Sequence, residues 1–315
     1  VPGTDWQPNA PLATLKKRAE LLAQIRSFFS LQAVMEVDTP ILGRRGVTDL
    51  HIDCVQARVC GETRYLQSSP EYFMKRLLAA GAGAIYSLGK VFRDEEQGSR
   101  HRPEFTLLEW YRPGWDEHQL MAEVEDLVLS LATEPLPVTI ASYGDIFAAS
   151  TGLDPHSAAV PLLQEMAADC CGGDWRSESR STLLDVLFSL VVEPKLPPGL
   201  VFIHQYPACQ AALAQLGADD NGNPVARRFE VFLNRMELGN GYFELTDAEE
   251  QRQRFAADNA LRQGAAKPQM IADEALLAAL AAGLPACAGV ALGVDRLLMG
   301  LLHLENIGQV VAFDG

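Results

Sequence analysis

Val91-Phe92-Arg93-Asp94-Glu95-Glu96-Gln97-Gly98-Ser99-Arg100-His101-Arg102-Pro103-Glu104-Phe105-Thr106-Leu107-Leu108-Glu109-Trp110-Tyr111-Arg112 crowds charges of both signs around a few aromatics, in a chain of net charge −15. Charge alone would mark a solvated turn, so the order of the residues carries the information. Val91 to Arg93 reads as a strand, Gln97-Gly98-Ser99 as a turn, and Glu104 to Tyr111 as a second, alternating strand. Side chains two apart on a strand share a face. Phe105, Leu107, Glu109 and Tyr111 are therefore expected to point one way, and Glu104, Thr106 and Leu108 the other.

Upstream, Leu15, Ala19, Leu22, Ile25 and Phe29 recur at helical spacing and predict an amphipathic helix, which feeds a strand over Met35 to Thr39 that Pro40 ends. Tyr72 to Ala80 reads as a helix closed by Gly81-Ala82-Gly83. From about Thr133 to Leu200 helical periods dominate without a catalytic pattern, so a helical insertion is expected there. Arg228 to Leu233 and Met236 to Leu238 alternate as an antiparallel hairpin, with Gly239-Asn240-Gly241 marking a bulge or a close backbone approach. Thr246-Asp247-Ala248-Glu249 has the form of a capping box that opens a helix to about Gln263. Ala275 to Val294 carries no charge and is long enough to span a membrane, but Gly283, Pro285, Gly289 and Gly293 interrupt it. It reads as a short helix, a turn, a buried strand and a second helix. Antiparallel pairs separated by helices predict an α+β domain.

With 315 residues and 48% apolar composition the chain can bury a sizeable core. The first thirteen residues form no predicted element, and no N-terminal barrel domain is expected ahead of the core. The net charge of −15 would on average repel a polyanion, which argues against a large tRNA footprint; the same acidity also serves simply to keep a protein in solution. Six cysteines without metal-site spacing, and no secretory signal, lead us to expect reduced thiols and a cytoplasmic location.

The two strands with their charged loop resemble motif 2 of the class II aminoacyl-tRNA synthetases. Gly289-Val290-Ala291-Leu292-Gly293-Val294-Asp295-Arg296-Leu297-Leu298-Met299 resembles motif 3, and Val34-Met35-Glu36-Val37-Asp38-Thr39-Pro40 after its helix resembles motif 1. Ser68-Ser69-Pro70-Glu71-Tyr72-Phe73-Met74-Lys75-Arg76-Leu77 and Glu237-Leu238-Gly239-Asn240-Gly241-Tyr242-Phe243-Glu244-Leu245 narrow the resemblance to the lysine branch. It covers Leu15 to the end and is closest to truncated paralogues, catalytic cores without the anticodon-binding domain that attach (R)-β-lysine to a lysine of translation elongation factor P. The resemblance implies an antiparallel sheet flanked by helices, with a homodimer formed through motif 1.

It also implies roles. Forming an aminoacyl-adenylate brings a carboxylate against the α-phosphate of ATP, and arginines with Mg²⁺ offset that repulsion. Arg93 and Arg296 match the two catalytic arginines, Arg93 on the carboxylate and α-phosphate, Arg296 on the γ-phosphate and over adenine. Phe105 would stack under adenine and Glu95 would read its amino group, while Asp94, His101, Arg102, Leu238 and Gly293 complete the ATP site. Arg102 departs from the Asn that relatives commonly carry. Glu230 and Glu237 match the Mg²⁺ carboxylates, although Glu230 taken alone reads as a surface strand residue.

Glu109 and Glu244 match the acids that hold the far ammonium of a lysine-like substrate, with Tyr111 as hydroxyl partner. Ser69-Pro70-Glu71 would take the other amino group and Asn240 would orient the carboxylate. Acids at both ends suit a diamino acid. Ala291, where lysyl-tRNA synthetases typically have Gly, is shared with the β-lysine ligases. Two other functions keep the same residues in view: a minimal lysyl-tRNA synthetase charging tRNA, and a non-catalytic paralogue that senses amino acids.

Overall fold

The computed structural model describes residues 6–313. Helix α1 (Leu12–Leu31) buries Leu21, Ile25 and Phe29. Ala19, expected on the buried stripe, is exposed, and Arg18 faces inward instead. The reason is a partner: its guanidinium lies 2.6 Å from the buried Asp295 and donates to Thr106 Oγ1 at 2.7 Å. Phe29 stacks on Tyr86 at 4.5 Å between ring centroids and meets Trp110 edge-on at 5.3 Å. Burying a side chain of that size contributes about 1.5–3 kcal/mol.

Strand β1 (Met35–Glu36) is shorter than the predicted Met35 to Thr39. A small sheet, not foreseen in the sequence, follows: β2 (Leu42–Gly43), β3 (Gln56–Val59) and β4 (Glu62–Leu66), in the order β2-β4-β3. Next come α2 (Glu71–Ala79), β5 (Ile85–Phe92), β6 (Glu104–Pro113) and α3 (Glu117–Leu131). Gly81 and Gly83 both take positive φ after α2, which is where glycine is needed to turn the chain.

The segment expected to be helical opens with a strand, β7 (Val138–Ser142), which pairs in parallel with β8 (Leu200–Pro207) at the far edge of the main sheet. Its remainder is helical: α4 (Tyr143–Thr151), α5 (Val160–Cys171), α6 (Arg180–Leu187) and a π-helical turn over Phe188–Val192. Then follow β9 (Leu216–Ala218), β10 (Pro224–Leu233), β11 (Met236–Phe243), α7 (Ala248–Gly264), α8 (Glu274–Gly283), β12 (Cys287–Gly293) and α9 (Val294–Leu301). The predicted capping box shifts by one residue, since the cap of α7 is Asp247, whose side chain accepts from Glu250 N at 2.8 Å.

Among the described residues the main sheet has nine strands, in the order β1-β5-β6-β12-β11-β10-β8-β7 with β9 beside β10. Its interior pairs are antiparallel; β1 and β7, at the edges, pair in parallel. One face of the central strands supplies Leu108, Trp110, Val231, Val290 and Leu292 to a core closed by α1, α3 and α9. The other face lines a cavity. Smaller cores lie under α4–α6 and between α2 and α8. Among the described residues no helix is long and apolar enough to cross a membrane, because the uncharged run is split between α8 and β12.

Candidate active site

The face of β6 singled out in the sequence is the floor of a cavity of about 400 Å³: Phe105, Leu107, Glu109 and Tyr111 all line it. Thr106 and Leu108 turn the other way, Thr106 toward Arg18 and Asp295 and Leu108 into the core. β6 pairs with β12 so that Glu109 faces Ala291 and Tyr111 faces Gly289. β11 lies beyond, with Asn240 opposite Ala291. Backbones approach closely here. A methyl group on Gly239 would overlap the Ala291 carbonyl, one on Gly241 the ring of Phe229, and one on Gly289 both the Tyr111 ring and the Glu244 carboxylate.

Three carboxylates converge in one part of this cavity. Glu109 accepts from Ser69 Oγ at 2.6 Å and from Tyr111 OH at 2.8 Å. Glu71 and Glu244 share Lys75, whose Nζ lies 2.6 Å from Glu71 Oε1 and 2.7 Å from Glu244 Oε2. Burial, reinforced by the charge of Glu71, pushes the Glu109 carboxyl up to about 8. Burial also pushes Glu244 up to about 7, against the pull of Lys75. Burial works against the Lys75 charge too, yet Glu244 and Glu71 together hold its ammonium well above the usual range.

Arginines gather in the remainder. Arg93 reaches Glu96 at 3.5 Å, donates to Ser68 O at 3.4 Å and lies over the Phe105 ring at 5.1 Å. Arg296, at the start of α9, donates to Arg100 O and Glu237 O, both at 3.1 Å. Its neighbour Asp295 holds α9 against β6 by accepting from Thr106 N at 2.8 Å. Burial, with the charge of Arg296 next, lowers the His101 pKa and favours the neutral imidazole. Glu237 accepts from Asn240 Nδ2 at 2.8 Å, while Arg228 donates to Asn240 Oδ1 and lies 2.5 Å from Glu230.

Gly-rich β12 leading into Arg296, the β5–β6 pair with its charged loop, and α1 feeding β1 thus stand around one cavity and its supporting core. The family described as tRNA synthetases class II (D, K and N) matches residues 5–314. The chain belongs to that class II tRNA synthetase family. Its relatives include an elongation factor P--(R)-beta-lysine ligase of Histophilus somni (strain 2336), 47% identical over 98% of this chain and 97% of the relative. Proteins of the same name from Avibacterium paragallinarum and Edwardsiella ictaluri are 48% and 49% identical, each again over 98% of this chain and 97% of the relative.

Of the residues that the class II resemblance singled out, Ser69, Glu71, Arg93, His101, Arg102, Phe105, Glu109, Tyr111, Glu237, Leu238, Asn240, Glu244, Ala291, Gly293 and Arg296 line the one cavity. Pro70, Asp94, Glu95 and Glu230 do not. Pro70 caps α2. Asp94 pairs its backbone with Asp53, and its carboxylate accepts from Glu95 N at 2.9 Å. Glu95 takes a positive φ of 61° and is exposed, so Glu96 is the acid of this loop that reaches the cavity. Glu230 shares a strand face with Arg228, which does line the cavity, and is held by that guanidinium; burial pushes its carboxyl up to about 7 despite the arginine. Phe105, expected to stack under adenine, lines the cavity and has the Arg93 guanidinium over its ring at 5.1 Å.

Arg228, Lys75 and Asp295 stand within the quoted stretches but were given no role in the sequence reading. For Lys75 a signal was present, because it stands four residues after Glu71, which immediately precedes the helix predicted from Tyr72, and at that spacing two side chains share a helix face.

Proposed function

We propose that this protein activates (R)-β-lysine with ATP and transfers it to a lysine side chain of translation elongation factor P. One observation carries the reading: Glu71, Glu109 and Glu244 meet in the same cavity that holds Arg93 and Arg296. Acids there suit the ammonium groups of a diamino acid, and arginines suit its carboxylate and the phosphates of ATP. The relatives' shared name supports both substrate and acceptor.

In the first step the substrate carboxylate oxygen attacks the α-phosphorus of ATP and pyrophosphate leaves. Arg93 would bridge the two reacting anions, and Arg296, with His101 and Arg102, would neutralise the outer phosphates. Asp94, Glu95, Leu238 and Gly293 would frame the nucleotide. Tyr111 and Ser69 hold Glu109 by hydrogen bonds, so that its charge meets the far ammonium without reorganising. Glu244 would share that ammonium, while Pro70 positions Glu71 for the other and Asn240 steadies the carboxylate. Ala291, on the wall opposite Glu109, would narrow the pocket by one methyl group. In the second step the acceptor lysine's ε-amine attacks the adenylate carbonyl, an amide forms and AMP leaves.

Glu237 presents a carboxylate to the cavity, and Glu230 would join it by leaving Arg228, a donor pair that fits Mg²⁺ completed by phosphate oxygens and water. A bound Mg²⁺ would supply neutralisation of phosphate charge. We read residues 14–315 as one catalytic domain with an insertion over 133–200. A second copy would meet the first through α1 and β1, where Leu12, Leu31 and Met35 are exposed.

Incubating the protein with ATP, (R)-β-lysine and purified elongation factor P tests the proposal by mass spectrometry. The factor should gain the mass of one lysyl residue. Pyrophosphate exchange with no mass gain would remove the acceptor from this reading, and faster charging of tRNA would replace it.

A further inference from the structure

Two buried carboxylates and a half-buried third are an unusual group to place in one cavity, and this protein buries a lysine against two of them. Lys75 is 1% exposed, the Glu244 and Glu109 residues are 1% and 2% exposed, and Glu71 belongs to the same helix turn as Lys75. Removing such an ammonium from water is strongly unfavourable unless anions surround it, so its presence needs a reason beyond packing. The neighbours of Lys75 supply one. Glu71 comes from α2 and Glu244 is the residue just after β11, so Lys75 bridges two separate elements, and both carboxylates also line the cavity. Lys75 itself does not line it.

We infer that Lys75 is a positioning residue that sets the charge of the amino-acid subsite, holding Glu71 and Glu244 apart from Glu109 and cancelling one of the three negative charges. With all four groups ionised, a net charge of −2 remains, which matches an amino acid carrying two ammonium groups once Arg93 has taken its carboxylate. The inference rests on the proposed function and deepens it. A subsite of three uncompensated acids would hold still more protons of its own, because burial disfavours adjacent negative charges.

Lys75 would therefore act on substrate through the carboxylates. The groups facing Glu244 are Lys75 and Glu71 on α2, Glu109 and Tyr111 on β6, Tyr242 on β11 and Cys287 on β12. Lys75 is the cation among them. Around α2, Tyr72 is faced by Asp258 of α7 and Asp273 before α8. Without the lysine, Glu244 takes up a proton at neutral pH and no longer meets an ammonium as an anion.

The test uses the full-length protein and measures pyrophosphate exchange from pH 6 to 9.5 with (R)-β-lysine, 6-aminohexanoate and 3-aminohexanoate. In Lys75→Met the KM for (R)-β-lysine should rise about tenfold at pH 7 for each pH unit by which the acidic limb moves up, and should approach wild type above pH 9. The kcat should change much less. Lys75→Gln keeps a hydrogen-bond donor without the charge and should show the same displacement, so it serves if the Met variant does not fold. Lys75→Arg should return the limb to its wild-type position. Wild type should favour the diamino acid over both monoamino compounds, and the neutral variants should lose much of that preference at pH 7. A folded neutral variant with unchanged limb, KM and preference overturns the role of Lys75. Wild type that exchanges with none of the three compounds overturns the proposed function instead.

Discussion

At the scale of single residues, what matters is how tightly each carboxylate is held. Glu109 has both oxygens occupied by hydroxyl donors and sits on a central strand, so it cannot swing away to relieve its burial. Replacing it with Gln removes a charge while keeping the shape. Loss of one partner from a buried, hydrogen-bonded charge pair costs about 2–5 kcal/mol, so Glu109→Gln should raise the KM for the diamino acid by about a hundredfold. Circular dichroism should show the fold unchanged, and a KM within threefold of wild type would exclude Glu109 from the subsite. Gly289 tests the same wall by sterics. The methyl of Gly289→Ala would overlap the rigid Tyr111 ring and the Glu244 carboxylate, so the wall must shift. Overpacking of this kind typically costs about 1–3 kcal/mol, read as a lower Tm together with a weaker KM; a variant that keeps both would show that the wall gives way.

At the scale of elements, the N-cap of α7 separates what the sequence disclosed from what only packing decides. The stretch Thr246 to Glu249 announced a helix start, but two acceptors, Thr246 and Asp247, compete for it, and the chain direction leaving β11 selects Asp247. Asp247→Ala should lower stability by about 1 kcal/mol and Tm by about 2 °C, with activity retained. Thr246→Ala should stay within about 0.5 kcal/mol of wild type, and equal losses in the two variants would deny the assignment. The same division runs through the fold. β6, β10, β11 and β12 were legible because each alternates or is bounded by turns, whereas of β5 (Ile85–Phe92) only Val91 and Phe92 fell in the predicted strand; the motif residues on these strands converge on one cavity. β2 to β4 were not, being two to five residues long and poor in apolar alternation. β7 was hidden because its pairing partner, β8, lies nearly sixty residues on, and local periodicity carries no trace of a parallel edge pair. In the site, Glu95 was named through the class II resemblance and not through alternation; its positive φ leaves it exposed beside Glu96, which lines the cavity.

At the scale of the whole molecule, the buried carboxyls couple stability to substrate and pH. Glu109, pushed up to about 8, and Glu244, pushed up to about 7, both have folded-state values above those of the unfolded chain. For such groups the stabilising contribution is fully present below the unfolded value and is lost as pH rises through the folded one. The free protein should therefore lose Tm between about pH 5 and 8.5 on their account, and Glu109→Gln should lose less over the same interval, since an amide does not titrate. Substrate acts in the opposite sense. An ammonium group binds the ionised carboxylates, so the KM for (R)-β-lysine should fall as pH rises through 7 and 8, and the Tm gained on adding it should grow. Scanning calorimetry at pH 6 and pH 8.5, with and without the diamino acid, reads both trends at once. A ligand-induced gain that is equal at the two pH values would mean that Glu109 and Glu244 are already ionised in the empty cavity. The buried subsite would then be fully charged before substrate arrives, and the stability lost with rising pH would have to come from groups elsewhere in the fold.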